Sequence, residues 1–141
     1  MKRAVLAVSL LLASCGGNVT APSTPPGPNS PQTTVALANT VIANTTITAV
    51  QAIIAMRDAG KISQANTDSI ENWLAIVAHA DRSIGLILAK NVPWDQQKKE
   101  ILTLLTTITA PMIAGTIEPG AQVIIAQIQT LLAQIKTQVA P

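Results

Sequence analysis

The chain has no Phe and no Tyr, and among its 141 residues only two Trp, one Cys and one His; charged side chains make up 11%. Each scarcity excludes something. A lone Cys cannot close an intrachain disulfide, and a lone His leaves most metal and triad arrangements without their residues. Nine Lys and Arg against seven Asp and Glu give a formal charge of +2. Lys2 and Arg3 stand at the N-terminus, however, and from residue 16 onward the charges cancel. Without an excess of cations to neutralise phosphates, nucleic acid is not an expected partner. The sequence has no HExxH or DxDxDG spacing, no GxSxG elbow and no glycine-rich phosphate loop. His79 lies off the apolar stripe of its segment and reads as a surface residue. No catalytic residue, metal ligand or cofactor site is expected, and the protein reads as non-enzymatic.

The apolar content is high instead, at 48%, and its first concentration is at the N-terminus. Lys2 and Arg3 precede a short apolar run, Ala4–Leu12. That run is too short for a bilayer core of about 30 Å, so it reads as a secretion signal. It ends in Leu12-Ala13-Ser14-Cys15, an aliphatic residue, two small residues and the chain's one cysteine. This order resembles the lipobox of bacterial lipoproteins. The resemblance implies cleavage between Ser14 and Cys15, a diacylglyceryl group on the Cys15 sulfur, and acylation (palmitate or a similar chain) of the new amine. Two or three acyl chains hold a protein on a membrane far more firmly than one. Gly16 stands where inner-membrane lipoproteins often carry Asp, so the resemblance favours the outer membrane in a Gram-negative host. The membrane is thus the one partner implied, through lipid on Cys15.

Residues 15–33 form the next unit. Between Gly16 and Thr33 lie five Pro, three Gly and no charge. Such a segment has nothing to bury and reads as an extended, disordered tether. From residue 34 to 141 the composition turns to Ala, Ile, Leu, Thr and Gln with helical periodicity. Four helices are predicted. The first covers Thr34–Ala59, with Ile47, Val50 and Ile54 as its stripe and Gly60 just beyond its end. The second covers Gln64–Lys90 behind Ser63 as N-cap, with the regular stripe Ile70, Trp73, Val77, Ala80, Ile84 and Ile87. Asn91 is expected to end it in the left-handed conformation before Pro93. The third covers Trp94–Ala114, with Ile101, Leu104 and Ile108 on one face and a kink or end near Ala110 forced by Pro111. The fourth starts at Pro119 beside Glu118 and lines up Ile124, Ile128, Leu131 and Ile135. With short loops between them, these helices predict a small all-α, up-down bundle with antiparallel neighbours. Close approach is expected at Ala49, Ala52, Ala78 and Gly85.

Twelve of the fourteen charges beyond residue 15 fall between Arg57 and Glu100. The first, third and fourth helices are therefore expected to present uncharged faces, to a protein partner, a second copy of the chain, or lipid. The charge-free runs Ile101–Ile117 and Pro119–Ile135 also raise a helical hairpin that inserts into a membrane, although their Thr and Gln would sit poorly in hydrocarbon. A short lipoprotein with a Pro-rich region loosely resembles the outer-membrane subunit of phage spanins, which implies a membrane-acting role in lysis. The principal expectation is a lipid-anchored envelope protein with a helical binding or structural domain.

Overall fold

Local chemistry sets the start and end of each helix in the computed structural model, which describes residues 27–141. Helix α1 spans Pro31–Asp58. It begins three residues earlier than the sequence pattern indicates, because Ser30 caps it and Pro31 occupies its first turn. The Ser30 hydroxyl accepts the Thr33 N–H at 3.1 Å, and proline costs nothing where the N–H is unpaired anyway. The boundary placed between residues 33 and 34 therefore moves to residues 30 and 31. The other end of α1 closes with the two bonds of a Schellman motif, Lys61 N–H to Met56 O at 2.9 Å and Gly60 N–H to Arg57 O at 2.8 Å. That closure requires Gly60 to adopt φ 69°.

Helix α2 spans Gln64–Leu88, capped by the Ser63 hydroxyl on the Asn66 N–H at 3.3 Å. It stops two residues before Lys90, and Asn91 is not left-handed, since every described positive φ belongs to glycine. Helix α4 spans Pro119–Val139. The Glu118 carboxylate caps it by accepting from the N–H groups of Gly120 (2.7 Å) and Ala121 (3.3 Å).

Helix α3 departs most from the sequence pattern. It spans only Trp94–Thr106, and residues 107–118 run on without helix. Pro111 disfavours helical backbone at Ala110 and would clash with the Thr107 carbonyl. Upstream, the hydroxyls of Thr106 and Thr107 donate to the carbonyls of Thr103 and Leu104, both at 2.7 Å. Those bonds satisfy carbonyls that a helix end leaves free, so the helix stops a turn before the proline needs it to. Two side chains of α2 hold the continuation in place. Asn66 donates to Ala114 O at 3.1 Å and accepts from Ala114 N–H at 3.0 Å, while Ser69 donates to Met112 O at 2.6 Å.

The helices form a ring: α1 packs on α2 and α4, and α3 bridges α2 and α4. Their directions alternate. Asn39, early in α1, donates to the Asp81 carbonyl late in α2; Lys90 at the end of α2 pairs with Glu100 early in α3. Leu102 of α3 lies beside Val139 at the end of α4. At 1.5 Å per residue α3 is about 20 Å long, roughly half of α2. The extended residues after it, rising about 3.3 Å each, complete the third position of the ring. The fold is all-α among the described residues, with one of its four arms half helix and half extended chain.

The core joins Val35, Ala38, Ile42, Ala49 and Ile53 of α1 to the α2 stripe, Ile101 and Leu105 of α3, Ile117, and Ala121, Ile128, Ile135 and Val139 of α4. The α2 stripe stands as expected, with Ile70, Trp73, Val77, Ala80, Ile84 and Ile87 all buried. Elsewhere the faces shift. Ile47 is 57% exposed and Val50 and Ile54 are half-buried, because α1 turns a different stripe inward. Leu104, Ile108, Ile124 and Leu131 are half-buried against the core rather than inside it. Of the small residues expected at close approaches, Ala49 is buried and Ala52 half-buried, while Ala78 faces solvent. At Gly85 an added Cβ would stand 3.8 Å from the Asn39 amide, an ordinary contact, so glycine is not required there.

One buried polar link ties three elements at one end of the ring. Gln97, 1% exposed, accepts from Gln32 of α1 at 2.9 Å and donates to the Lys90 carbonyl after α2 at 2.9 Å. Burying an amide is tolerable only when both its functions are paired, as they are here.

Candidate functional site

The residues singled out for lipidation and cleavage, Cys15 and Ser14, lie outside the described residues, as do Leu12 and Ala13. Among the described residues the carboxylates are occupied one by one. Asp58 pairs with Arg57 at 2.9 Å, Asp95 with Lys98 at 2.8 Å, and Glu100 with Lys90. Hydrogen bonding from Lys98 and from Lys90 holds Asp95 and Glu100 below the ordinary carboxylate range. Asp68 accepts from Gln64 at 2.6 Å, and Glu118 caps α4. No three His, Cys, Asp or Glu among the described residues are grouped to hold a metal ion. His79 is exposed on α2.

Asp81 differs from the rest. It faces the seam between α1 and α2, and burial pushes its pKa up to about 6. One of its oxygens is buried without a donor, and so is the amide oxygen of Asn39, whose NH₂ bonds the Asp81 carbonyl at 3.1 Å. Two acceptors at one seam have no donor between them, an arrangement that favours the protonated acid.

Charge divides the molecule. Helix α1 from Pro31 to Met56 and α4 from Pro119 to Ile135 carry no charged residue, whereas α2 and α3 carry nine of the charges. The expectation of uncharged faces thus holds for α1 and α4. For α3 it does not, because the helical part of that arm contains Asp95, Lys98, Lys99 and Glu100.

Between α1 and α4 runs an open groove of 590 Å³, lined by Val41, Thr45, Val123, Ala126, Gln127, Thr130 and Leu131. Around it stand Leu37 (66% exposed), Val41 (41%) and Val123 (55%). The groove exists because α1 and α4 present Ala, Val and Thr where they meet, leaving a furrow that no larger side chain fills. Sequence reasoning missed these residues individually. Only the absence of charge along two whole helices pointed toward this side.

The hairpin raised for Ile101–Ile117 and Pro119–Ile135 is not a pair of long helices, since its first arm is extended beyond Thr106. The one described helix long and apolar enough to cross a membrane is α1, by length and composition alone, and most of its apolar window lies outside the core. Comparisons with protein families, with curated proteins and with solved structures return no match for this chain.

Proposed function

We propose that this protein is a lipid-anchored, non-enzymatic envelope protein whose helical bundle acts by binding, with the α1–α4 face as its contact surface. The observation that carries the binding half is the uncharged groove between α1 and α4 with its exposed Leu37, Val41 and Val123. Interface centres are depleted in charge and rich in apolar side chains, which describes this side of the bundle and not the other. The anchoring half rests on Leu12-Ala13-Ser14-Cys15, where the chain's one cysteine ends a lipobox-like stretch. Gly16 after that cysteine favours the outer membrane, and the uncharged, proline-rich residues that follow can act as a spacer.

Two measurements test the two halves. Cys15→Ser should stop signal processing and abolish labelling by radioactive palmitate; normal labelling of that variant refutes the anchor. Cross-linking and pull-down of the full chain from its own envelope should recover a protein partner or a second copy of the chain. Val123→Glu should abolish that recovery without altering the melting temperature, because Val123 lies outside the core.

A membrane-acting role is the second reading, favoured by the length and apolar composition of α1. Sedimentation of the Cys15→Ser chain with phospholipid vesicles separates the readings. Tight, salt-insensitive association without acyl chains would replace the binding module with a membrane-inserting one.

A further inference from the structure

The place where α3 gives way to extended chain has a structural consequence. A helix is about 10 Å across, whereas an extended strand is far thinner, so α2 and α4 are not fully spaced by residues 107–110. A cavity of 200 Å³ opens there, lined by Trp73 of α2, Leu105 and Ile108–Ala110, and Gln129, Leu132, Ala133 and Lys136 of α4.

Its polar groups are nearly all donors, and they are unused. Trp73 is 3% exposed, yet its indole N–H has no hydrogen-bond partner. The backbone N–H groups of Thr109 and Ala110 make no bond among the described residues. Lys136 forms no ion pair there, while Arg57, Lys90 and Lys98 each have one. The lining includes one cation and no carboxylate. Leu105, Ile108 and Leu132 supply the apolar wall.

A buried donor without an acceptor is rare in a folded protein and is commonly explained by something that binds. A pocket with an apolar wall, a few convergent donors and one cation selects for an acceptor that is negatively charged and carries a short hydrocarbon body. The volume accommodates about eight to ten non-hydrogen atoms, taking roughly 30 Å³ per water as the scale. A free small carboxylate meets all three conditions. We propose that this cavity is a binding site for a short organic carboxylate, with Lys136 on the carboxylate, the extended backbone and Trp73 donating to the ligand, and Leu105, Ile108 and Leu132 against its hydrocarbon. The site is separate from the α1–α4 groove and does not depend on the role proposed for that groove.

Fluorine NMR of the full chain, labelled with 5-fluorotryptophan and held in lipid nanodiscs, tests the assignment. The chain has two tryptophans, so Trp94 serves as an internal control, assigned through Trp94→Phe. The probes are hexanoate and benzoate, each compared with its neutral amide at pH 7. The Trp73 resonance should move saturably with either acid, with a dissociation constant on the order of 1 mM for a ligand this small, while Trp94 stays still. The acid should bind up to about fivefold more tightly than its amide, the worth of a partly exposed ion pair. Lys136→Met should remove that difference and leave amide binding unchanged; Lys136 is exposed, so the variant keeps the fold. A Trp73 resonance unmoved by about 20 mM of both acids, a concentration well above that range, overturns the proposal. So does equal affinity for acid and amide, or a shift that Lys136→Met leaves unaltered.

Discussion

Two glycines show how differently the same residue type can matter. Gly60 holds φ 69° to close the Schellman motif after α1, a conformation that costs a residue with a Cβ about 1–2 kcal/mol. Gly85 sits inside α2 with room for a methyl group, 3.8 Å from its nearest neighbour. Gly60→Ala should lower stability by about 1 kcal/mol, and Gly85→Ala should raise it by about 0.5–1 kcal/mol through helix propensity and a less flexible unfolded chain. Urea midpoints at unchanged m-value would check both, and a destabilised Gly85→Ala would mean that the seam with Asn39 is tighter than its geometry shows. The proline at position 31 could be read from the sequence as part of a linker or as a first helical turn. Ser30 decides between them by supplying the cap.

At the scale of elements, the third arm is held by side chains rather than by its own ladder. Asn66 makes two bonds to Ala114 and Ser69 makes one to Met112. Asn66 is 5% exposed, so removing its amide leaves both backbone groups of Ala114 without partners. Asn66→Ala should therefore cost about 1–3 kcal/mol. Amide exchange should accelerate first around Ala114, where an N–H bond is lost outright. If protection there is unchanged, the latch is not what holds the segment. The element types and most starts were legible in the sequence, because caps and prolines act within a turn of where they stand. The faces were legible only for α2, whose apolar residues fall on one narrow stripe. Helix α1 has apolar residues on several sides, so Ile47 was as good a core candidate as Ile42 until packing chose between them.

Across the whole molecule, the carboxylates set opposing pH responses. Asp81 has its pKa raised to about 6 by burial at the α1–α2 seam. A raised carboxyl favours the folded state when protonated, so its contribution is full at low pH and is lost as pH rises through about 6. Asp95 and Glu100, lowered by their lysine partners, act the other way and lose their small contribution as pH falls below the carboxylate range. The melting temperature should rise from pH 7 to about pH 5 and then fall under stronger acid. Asp81→Asn should melt higher than the parent at pH 7 and lose the rise between pH 7 and 5. A parent curve flat over that interval would show that Asp81 is solvated. Charge placement also orders the molecule globally, with ion pairs on the α2–α3 side and an uncharged groove on the α1–α4 side. A partner that docks on that groove meets no charge to desolvate.

By itself the sequence determined the all-α class, the helix starts at Ser63 and Glu118, the stripe of α2 and the segregation of charge. All of these rest on interactions within a few residues or on periodicity along one helix. Tertiary structure alone decided which side of α1 and α4 is buried, that Gln97 is an interior residue, and that the third arm ends its helix at Thr106. The first depends on the width left between neighbouring helices. The second depends on Gln32 lying 65 positions away in sequence yet 2.9 Å away in space. The third depends on Asn66 and Ser69, which give the extended backbone hydrogen bonds that a helix would otherwise have supplied. The α1–α4 groove and the cavity beside Trp73 exist only because separate stretches of chain meet, so no window of sequence contains either of them.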